Sequence, residues 1–292
     1  MMRTSLGAVE DLLIRLCCAL GPEYSSVDAA VSSHLSAGGG RLRAAICLDA
    51  AERVGLDSSD AVRLAAICEL LHNASLIHDD LLDRSMMRRG CPSVWYQYSD
   101  TIAVCAGDLM LAAAFSAVSG LSVDASRTAV SALTFQRVSE VIRGQVREQQ
   151  VMDYEQDAQA EYENRARGKS ASLLSLALEL PLLYAGRTDL LATTNELVGD
   201  FATAYQIADD LLDIEPDSAE GLLNIVLVME RSMNLPREFA KDRAAKRGLD
   251  LLERAVKRAE LLPFNCADLL VGHAKKLQAA MAVHLILTTT GN

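Results

Sequence analysis

The sequence predicts an all-α protein built as one helical domain over residues 1–292. Of its residues, 50% are hydrophobic but only 4% are aromatic, and the apolar residues are dominated by alanine and leucine, which are strong helix formers. The chain has six prolines, and few of its segments alternate polar and apolar residues as half-buried strands do. No linker rich in Ser, Gly or Pro separates a second domain.

The predicted helices follow one another with short breaks. Glycine and proline mark these breaks, for example at Gly21-Pro22, Gly38 to Gly40, Gly90 to Pro92 and Gly186, because both residue types interrupt helices. The segments between the breaks predict helices near 4–20, 26–36, 41–54, 58–83, 100–119, 123–151, 158–184, 189–213, 218–233, 235–261 and 264–287.

Charge, apolar run lengths and cysteine usage predict a soluble, cytoplasmic protein. The formal net charge is −11, which argues against nucleic acid or an anionic membrane surface as the main partner. The longest apolar run is interrupted by Glu179 and Pro181, so no stable membrane insertion is expected. The seven cysteines show no CxxC spacing and are predicted to be small buried hydrophobic residues in a reducing compartment.

One short acidic phrase occurs twice, as Asp79-Asp80-Leu81-Leu82-Asp83 and as Asp209-Asp210-Leu211-Leu212-Asp213. Each copy closes a long apolar helix, where its first and last aspartates project from one face. If the copies face one cavity, like charges about 4 Å apart repel by roughly 4 kcal/mol. Carboxylate oxygens suit Mg²⁺, which completes its coordination with water and phosphate. The phrase therefore predicts a site for several Mg²⁺ ions and a diphosphate, while two solvated helix ends are the alternative.

Basic and polar residues near the acidic phrases are candidate phosphate contacts. Adjacent arginines suit bidentate pairing with phosphate oxygens, and glycines before a helix let backbone N–H groups approach an anion. A solvated loop for the arginines and a core role for the histidine remain alternatives. The candidates are Arg43, His72, Arg88, Arg89, Lys169 and Gln206.

Together these motifs resemble the trans-isoprenyl diphosphate synthases, also called polyprenyl synthetases. The resemblance extends from about residue 38 to 214 and lies in GGGRLR, ELLHNASLIHDDLLDRSMMRRGCPSVW, AGDLMLAAAF, GKSASLL and YQIADDLLD, in the family's order. It implies an isoprenoid-synthase-type helical bundle around a central cavity, and a homodimer.

The resemblance also implies roles for individual residues. In the family the two acidic motifs bind three Mg²⁺ ions, which assigns the metal to Asp79, Asp80, Asp83, Asp209, Asp210 and Asp213. The positions that contact the allylic diphosphate correspond to Arg88, Lys169, Ser170 and Gln206, and those that hold isopentenyl diphosphate correspond to Arg43, His72 and Arg89. The implied catalytic set is Asp79, Asp80, Asp83, Lys169, Gln206 and Asp209.

The implied reaction is a prenyl transfer. Diphosphate leaves an allylic substrate (dimethylallyl, geranyl or farnesyl diphosphate), the double bond of isopentenyl diphosphate attacks the allylic cation, and loss of a proton gives a chain longer by one C5 unit. Product length in the family depends on positions just upstream of the first motif. Here these are Leu71, Ala74 and Ser75, with no aromatic floor. The expected product is C15 or longer, with C20 (geranylgeranyl diphosphate) favoured.

Two departures from the family pattern keep other functions open. Gly40 and Ala44 replace the lysine and proline of the family's first basic motif, and no lysine follows Asp213 until Lys241. A class I terpene cyclase of the same fold would need no isopentenyl diphosphate site, but the chain has only 1 Trp, 7 Tyr and 5 Phe to guide carbocations. A non-catalytic helper subunit of a heteromeric synthase is the third possibility, although all six aspartates are intact.

Overall fold

The structure is a computed structural model that describes residues 2–18, 23–148 and 157–290. Side chains are described for these residues except 2–4, 147–148, 169–170 and 283–290. Helices account for nearly all regular structure in this part of the chain, and the strands found there, Met87–Arg88 (β1) and Cys91–Pro92 (β2), form one short antiparallel pair. The predicted all-α class is confirmed.

The chain divides into two compact units. The first unit comprises Met1–Phe135 and Leu176–Arg187, and the second comprises Gln136–Ser175 and Thr188–Asn292. Each acidic motif lies in a different unit. The expectation of one domain over residues 1–292 stays a prediction.

Among the described residues, seven helices begin in the first unit. They are α1 (Met2–Cys17), α2 (Ser26–Ser36), α3 (Leu42–Arg53), α4 (Ser58–Leu82), α5 (Val94–Gln97), α6 (Asp100–Ser119) and α7 (Asp124–Glu148).

The core of the first unit forms where α4 packs against α6. Small residues make this close packing possible: Ala106 of α6 is fully buried, and the His78 ring of α4 occupies the space that a side chain at Gly107 of α6 would need. Buried polar groups fix the ends of the helices. Asp60 accepts hydrogen bonds from the Ser122 N–H at 2.9 Å and the Tyr184 hydroxyl at 2.8 Å.

Helix α6 is long and apolar enough to cross a bilayer, and it is the one such helix in the described part of the chain. Of its apolar stretch, 44% is buried inside the protein, and the helix packs on α4 and α2. It therefore serves as a core helix of the first unit.

The remaining helices of the described part begin in the second unit. These are α8 (Ala158–Ala166), α9 (Ser172–Tyr184), α10 (Leu191–Leu212), α11 (Ile214–Glu220), α12 (Ile225–Met233), α13 (Arg237–Ala259) and α14 (Asp268–Thr290). One of them, α9, continues into the first unit from Leu176 on. Helix α10 packs mainly on α13. Contact is close at Gly248, where an added side chain would meet Met281 and Ile207.

Two predicted helices differ from a single regular helix in the structure. The segment 158–184 contains one π-helical turn at Arg167–Ala171 between α8 and α9. The segment 218–233 is divided between α11 and α12, because Gly221 adopts a left-handed conformation (φ 70°) that ends α11 and Asn224 caps α12. The first segment remains helical throughout, with a π-helical turn inside it. The prediction of one helix over 218–233 was wrong, since glycine caps and side-chain caps end a helix even within a helical composition.

The cysteine prediction was partly wrong. Cys17, Cys47, Cys68 and Cys266 are buried, as expected for small hydrophobic residues, but Cys91 and Cys105 are exposed.

Candidate functional site

The first acidic motif lies where α4 ends. The helix ends at Leu82, and Asp83 closes it by donating its backbone N–H to the Asp79 carbonyl oxygen at 2.8 Å. Asp79 and Asp83 are therefore one helical turn apart. Carboxylates at a helix C-terminus meet the negative end of the helix dipole, which costs about 0.3–1 kcal/mol each. Helix stability does not explain their position, whereas binding of a cation would.

The middle aspartate of this motif is held by the protein itself. Asp80 is 1% exposed, and the Nε of Arg88 donates to its Oδ1 at 2.9 Å. This contact raises the pKa of Arg88. Arg88 therefore contributes one positive charge to the first acidic motif from within the chain.

A second arginine fixes the segment between Asp83 and β1. Arg84 donates to both carboxylate oxygens of Asp100 at 2.9 Å, and its guanidinium lies 5.0 Å from the Trp95 ring centre. Trp95 in turn donates its indole N–H to the Ser85 carbonyl oxygen at 2.9 Å. These contacts fix the path of the chain between Asp83 and the β1–β2 pair.

The second acidic motif has the same local design at the end of α10. The helix ends at Leu212, and the Asp213 N–H donates to the Asp209 carbonyl oxygen at 3.1 Å. The middle aspartate, Asp210, is 2% exposed, whereas Asp213 is exposed.

Three protein donors hold the Asp210 carboxylate. The Tyr162 hydroxyl and the Ile225 N–H donate to Oδ2, both at 2.7 Å, and the Gln206 amide donates to Oδ1 at 2.9 Å. Asn224 adds a bond to the Asp210 carbonyl oxygen at 2.7 Å. Sequence analysis selected Gln206 but missed Tyr162 and Asn224, which lie 48 and 14 residues from Asp210 along the chain.

The acidic residues are short of positive charge. Asp80 Oδ2 is buried and accepts no hydrogen bond from any described residue, and burial raises the pKa of Asp80 despite its contact with Arg88. In the second motif, burial, followed by the charges of Asp210 and Asp213, raises the pKa of Asp209 to about 6. Both carboxyl groups would be stabilised as anions by a nearby cation.

The donor set fits Mg²⁺ bound together with a substrate. Among the described side chains, no group of three or more His, Cys, Asp and Glu is placed to hold a metal ion alone. Mg²⁺ does not require such a group, because it commonly uses one or two carboxylates and takes its other oxygens from water and phosphate. The six aspartates supply oxygen ligands of that kind.

The predicted acceptor residues Arg43, His72 and Arg89 are electrostatic neighbours in the first unit. Burial lowers the pKa of His72 well below its usual range, and the charges of Arg43 and Arg89 lower it further. The Nε of Arg43 is buried without a hydrogen-bond partner among the described residues. Unpaired buried donors and clustered cations are what a phosphate group would satisfy.

The glycine run before α3 positions Arg89. The Arg89 guanidinium donates to the Gly38 carbonyl oxygen and lies so close to Gly39 that any Cβ there would overlap it, at a φ of 136° that favours glycine. The next cation, Arg41, is held elsewhere. Its side chain is 9% exposed, and it binds the Leu35 carbonyl oxygen at 3.0 Å. Arg41 is therefore poorly placed to supply the positive charge that a lysine at position 40 would provide.

A buried network that sequence analysis missed fixes the start of α3. Glu69, 2% exposed, accepts the Ala44 N–H at 3.0 Å. Asn73, fully buried, donates to the Glu69 carbonyl oxygen at 2.7 Å and lies 3.1 Å from the His34 ring nitrogen Nε2. Arg43 directly precedes Ala44, so this network positions it. The available signal was a carboxylate and an amide inside an apolar helix, since such groups are buried only when hydrogen-bonded.

Protonation of His34 is expected to destabilise the protein as the pH falls from 6.5 towards 4. Burial lowers the pKa of His34 to about 4, the Asn73 contact opposes this, and Arg89, Arg88 and Arg41 lower the pKa further. The unfolded chain binds the proton at a higher pH than the folded chain does. Above pH 6.5 His34 is neutral in both states and does not lower stability. Between pH 6.5 and about 4 the free energy of unfolding falls by about 1.4 kcal/mol per pH unit.

Urea unfolding of the wild type and of His34→Gln between about pH 4 and 7 measures this effect. Other groups titrate equally in both proteins, so the difference between their slopes reports on His34. The wild type should lose more stability than the variant as the pH falls. Parallel slopes would contradict the assignment.

The remaining predicted residues have the following positions. Lys169 and Ser170 lie in the π-helical turn at Arg167–Ala171 of the second unit, and their side chains lie outside the described part. Such turns are frequent at functional sites. Leu71 and Ala74 of α4 are buried, and Ser75 is half-buried with its hydroxyl donating to the His72 carbonyl oxygen at 2.8 Å.

Comparison with known proteins agrees with the resemblance found in the sequence. The family model described as "Polyprenyl synthetase" matches residues 25–222. The all-trans-nonaprenyl-diphosphate synthase (geranyl-diphosphate specific) of Rhodobacter capsulatus is 33% identical over 229 residues, which cover 77% of this chain and 69% of that protein.

Solved structures show the same fold. The geranylgeranyl pyrophosphate synthetase of the archaeon Geoglobus acetivorans superposes with a TM-score of 0.82 at 25% identity, covering 95% of this chain and 99% of that one. A polyprenyl synthase from Caulobacter crescentus, complexed with calcium and isoprenyl diphosphate, gives a TM-score of 0.76 at 22% identity, covering 94% and 95%.

Proposed function

The chain belongs to the polyprenyl synthetase family and is a prenyltransferase, and from this premise we propose the reaction that it carries out. It condenses an allylic diphosphate with isopentenyl diphosphate in a Mg²⁺-dependent step. The substrates are small isoprenoid diphosphates rather than nucleic acid, which the net charge of −11 supports. We also propose a cytoplasmic homodimer, with about three Mg²⁺ ions in each active site.

One observation carries the proposal: two helices, one in each unit, end in the same acidic phrase with the same internal design. In each copy the middle aspartate is buried against protein donors, while the first and last aspartates are more exposed at the helix end. A solvated helix end has no need of a buried carboxylate with a raised pKa. We therefore assign direct metal contact to Asp79, Asp83, Asp209 and Asp213, and positioning of these four to Asp80 and Asp210.

The chain's own cations and amides would hold the two substrates. We assign the allylic diphosphate to Arg88, Lys169, Ser170 and Gln206. Arg43, His72 and Arg89 would bind the diphosphate of the acceptor, with neutral His72 acting as a hydrogen-bond donor rather than a charge. Because Gly40 leaves this site one cation short, we expect weaker acceptor binding than a lysine would give, by an amount comparable to one charged hydrogen bond, about 1.5–3 kcal/mol.

The proposed chemistry needs no protein nucleophile. When bound, Mg²⁺ neutralises the charge that develops on the leaving diphosphate. The allylic C–O bond breaks, the double bond of the acceptor forms the new C–C bond, and the departing diphosphate takes up the proton that is lost. Arg88 and Gln206 would act by holding the leaving group in place, since preorganised donors stabilise charge where it develops.

We propose a product of C15 or longer, with C20 (geranylgeranyl diphosphate) favoured. The names of similar proteins give different chain lengths, among them geranylgeranyl and nonaprenyl, so we base the proposed product length on α4. Leu71, Ala74 and Ser75 place no aromatic ring below the first motif.

Ala74→Phe is expected to shorten the product by at least one C5 unit. We propose that the prenyl chain grows past Ala74, so a phenyl ring there would block it. Because Ala74 is fully buried, the larger side chain would also overpack its surroundings and cost about 1–3 kcal/mol of stability. Product mass after complete turnover measures the change, and thermal unfolding confirms that the variant is folded. A folded, active variant with an unchanged product spectrum would show that the chain grows elsewhere.

A terpene cyclase and a helper subunit are the competing functions. The cyclase gains support from Gly40, but it would leave the Arg43, His72 and Arg89 cluster without a role. The helper would carry six carboxylates that it does not use.

One assay separates the three functions. The purified protein is incubated with Mg²⁺ and geranyl or farnesyl diphosphate, with and without isopentenyl diphosphate, and products are identified by mass. Elongation that needs both substrates and stops with EDTA supports the synthase. A hydrocarbon from the allylic substrate alone would establish the cyclase, and activity only after addition of another synthase would establish the helper.

A further inference from the structure

The second unit contains a cavity of about 600 Å³ that the proposed reaction does not use. It is lined by one face of α7, by α8 and the π-helical turn, and by the start of α10. Asn195 at its edge lies fourteen residues before Asp209 on α10, which is about 21 Å at 1.5 Å per residue. The Asn195 end of the cavity is therefore remote from the second acidic motif, while Glu161, at another point of the lining, is the sequence neighbour of Tyr162, which binds Asp210.

Positive charge dominates the lining. Four arginines face two glutamates among the described lining residues: Arg137, Arg143, Arg165 and Arg167 against Glu140 and Glu161. This excess occurs in a chain of formal net charge −11. The overall composition of the chain therefore does not explain the excess of arginine in the cavity.

The lining glutamates are already occupied by arginines. Arg137, whose side chain is 9% exposed, binds Glu140 at 2.8 Å, and it donates to the Asn195 amide oxygen at 3.0 Å when that amide is oriented to accept. Burial would raise the pKa of Glu140, but its hydrogen bonds to Arg137 and other donors hold it below the usual range. Glu161 binds Arg165 at 2.8 Å.

The two other arginines carry the surplus charge. Arg143 is exposed, and no ion pair joins it to an acid in the described ranges of the chain. Arg167 donates to Asp200 at 3.0 Å, but Asp200 is shared with Arg254 at 3.3 Å and with Arg258. Arg258 also pairs with Glu196 at 3.0 Å, so two carboxylates serve three guanidinium groups, which leaves one surplus positive charge on the Arg167 side of the cavity.

We propose that this cavity binds a compact polyanion of the phosphate or diphosphate type. Guanidinium groups match phosphate oxygens in bidentate geometry, and Arg143 and Arg167 supply positive charge that the two lining glutamates, already paired with Arg137 and Arg165, do not neutralise. The described lining contains no large apolar side chain, so a prenyl tail would have no surface to bury there. Free inorganic diphosphate therefore fits better than the head group of an isoprenoid.

Isothermal titration calorimetry of inorganic pyrophosphate into the full chain, carried out in EDTA, tests the proposal. EDTA silences metal-dependent binding at the acidic motifs, and the Arg89→Gln background weakens binding at the proposed acceptor site. In this background, additional Arg143→Gln should raise the Kd about tenfold, the effect of losing one charged hydrogen bond. Arg243→Gln, which removes an exposed arginine outside the cavity, should leave the Kd unchanged.

Three other results of the titration would contradict the proposal or its choice of ligand. Absence of saturable pyrophosphate binding in the Arg89→Gln background, or equal Kd values for the Arg143→Gln and Arg243→Gln variants, would overturn the proposal. Farnesyl diphosphate serves as a second ligand. If it binds much more tightly than pyrophosphate and Arg143→Gln weakens its binding, the cavity does not prefer an inorganic anion. The titration contains no turnover, so its result is independent of whether the proposed synthase activity is correct.

Discussion

Asp79→Asn is expected to lower kcat by about 10²–10³-fold, the loss typical when one preorganised charge-stabilising group is removed from an active site. Asparagine keeps the size of the side chain but removes its charge. The helix should not suffer, because a carboxylate at the end of α4 is unfavourable to the helix dipole. We expect thermal stability to be equal to or slightly above that of the wild type, and the apparent Mg²⁺ requirement to rise.

Steady-state turnover of an allylic diphosphate with isopentenyl diphosphate, measured over a range of Mg²⁺ concentrations, gives both quantities. Asp124→Asn is the matched control: it makes the same chemical change at an exposed position in the first turn of α7, and kcat should be unaffected. If Asp79→Asn retains full kcat at every Mg²⁺ concentration, the first motif does not bind the metal that the reaction uses.

The fold could be predicted from the sequence wherever one residue type decides a local outcome. The prediction of α2 at 26–36 agrees with Ser26–Ser36, because Ser25 and Asp28 form a capping box that is visible in the sequence. The π-helical turn at Arg167–Ala171 could not be predicted. Its cause is not local composition, since the flanking residues are all compatible with a regular helix.

Candidate residues of the site could be selected from the sequence, whereas their contacts within the protein could not. The repeated acidic phrase and the two arginines after it were recognisable because metal and phosphate ligands are restricted to a few residue types. The partners of the middle aspartates were not recognisable, because Tyr162 reaches Asp210 across 48 residues and its spacing carries no periodic signal. Contacts of this kind depend on how helices pack, which a single sequence does not specify.

The same internal design in both units indicates a division of labour within each motif. A metal ligand has to keep its position when the ion leaves, and a buried, hydrogen-bonded neighbour provides that rigidity. In the first unit Arg88 anchors Asp80, and in the second Tyr162 and Ile225 anchor Asp210. Substitution of an anchor should therefore affect stability, whereas substitution of an exposed ligand should affect activity.

Asp210→Ala is accordingly expected to lower the free energy of unfolding by roughly 2–5 kcal/mol, the cost of leaving two buried donors unsatisfied. The substitution leaves the Tyr162 hydroxyl and the Ile225 N–H without their acceptor in a buried site, and an unsatisfied buried group costs about 1–3 kcal/mol. Burial raises the pKa of Asp210 although its three donors lower it. Removal of a partly destabilised anion therefore offsets some of the loss.

Urea unfolding at pH 7 without metal measures the effect. Asp213→Ala is the matched control, because it removes an exposed aspartate from the same motif. It should change the free energy of unfolding by less than about 0.5 kcal/mol. Tyr162→Phe should cost about 1–2 kcal/mol by itself. In the double variant the two losses should not add, because both substitutions break the same hydrogen bond. Full additivity, or equal stability of Asp210→Ala and Asp213→Ala, would mean that Asp210 does not anchor the second motif and that its burial has another cause.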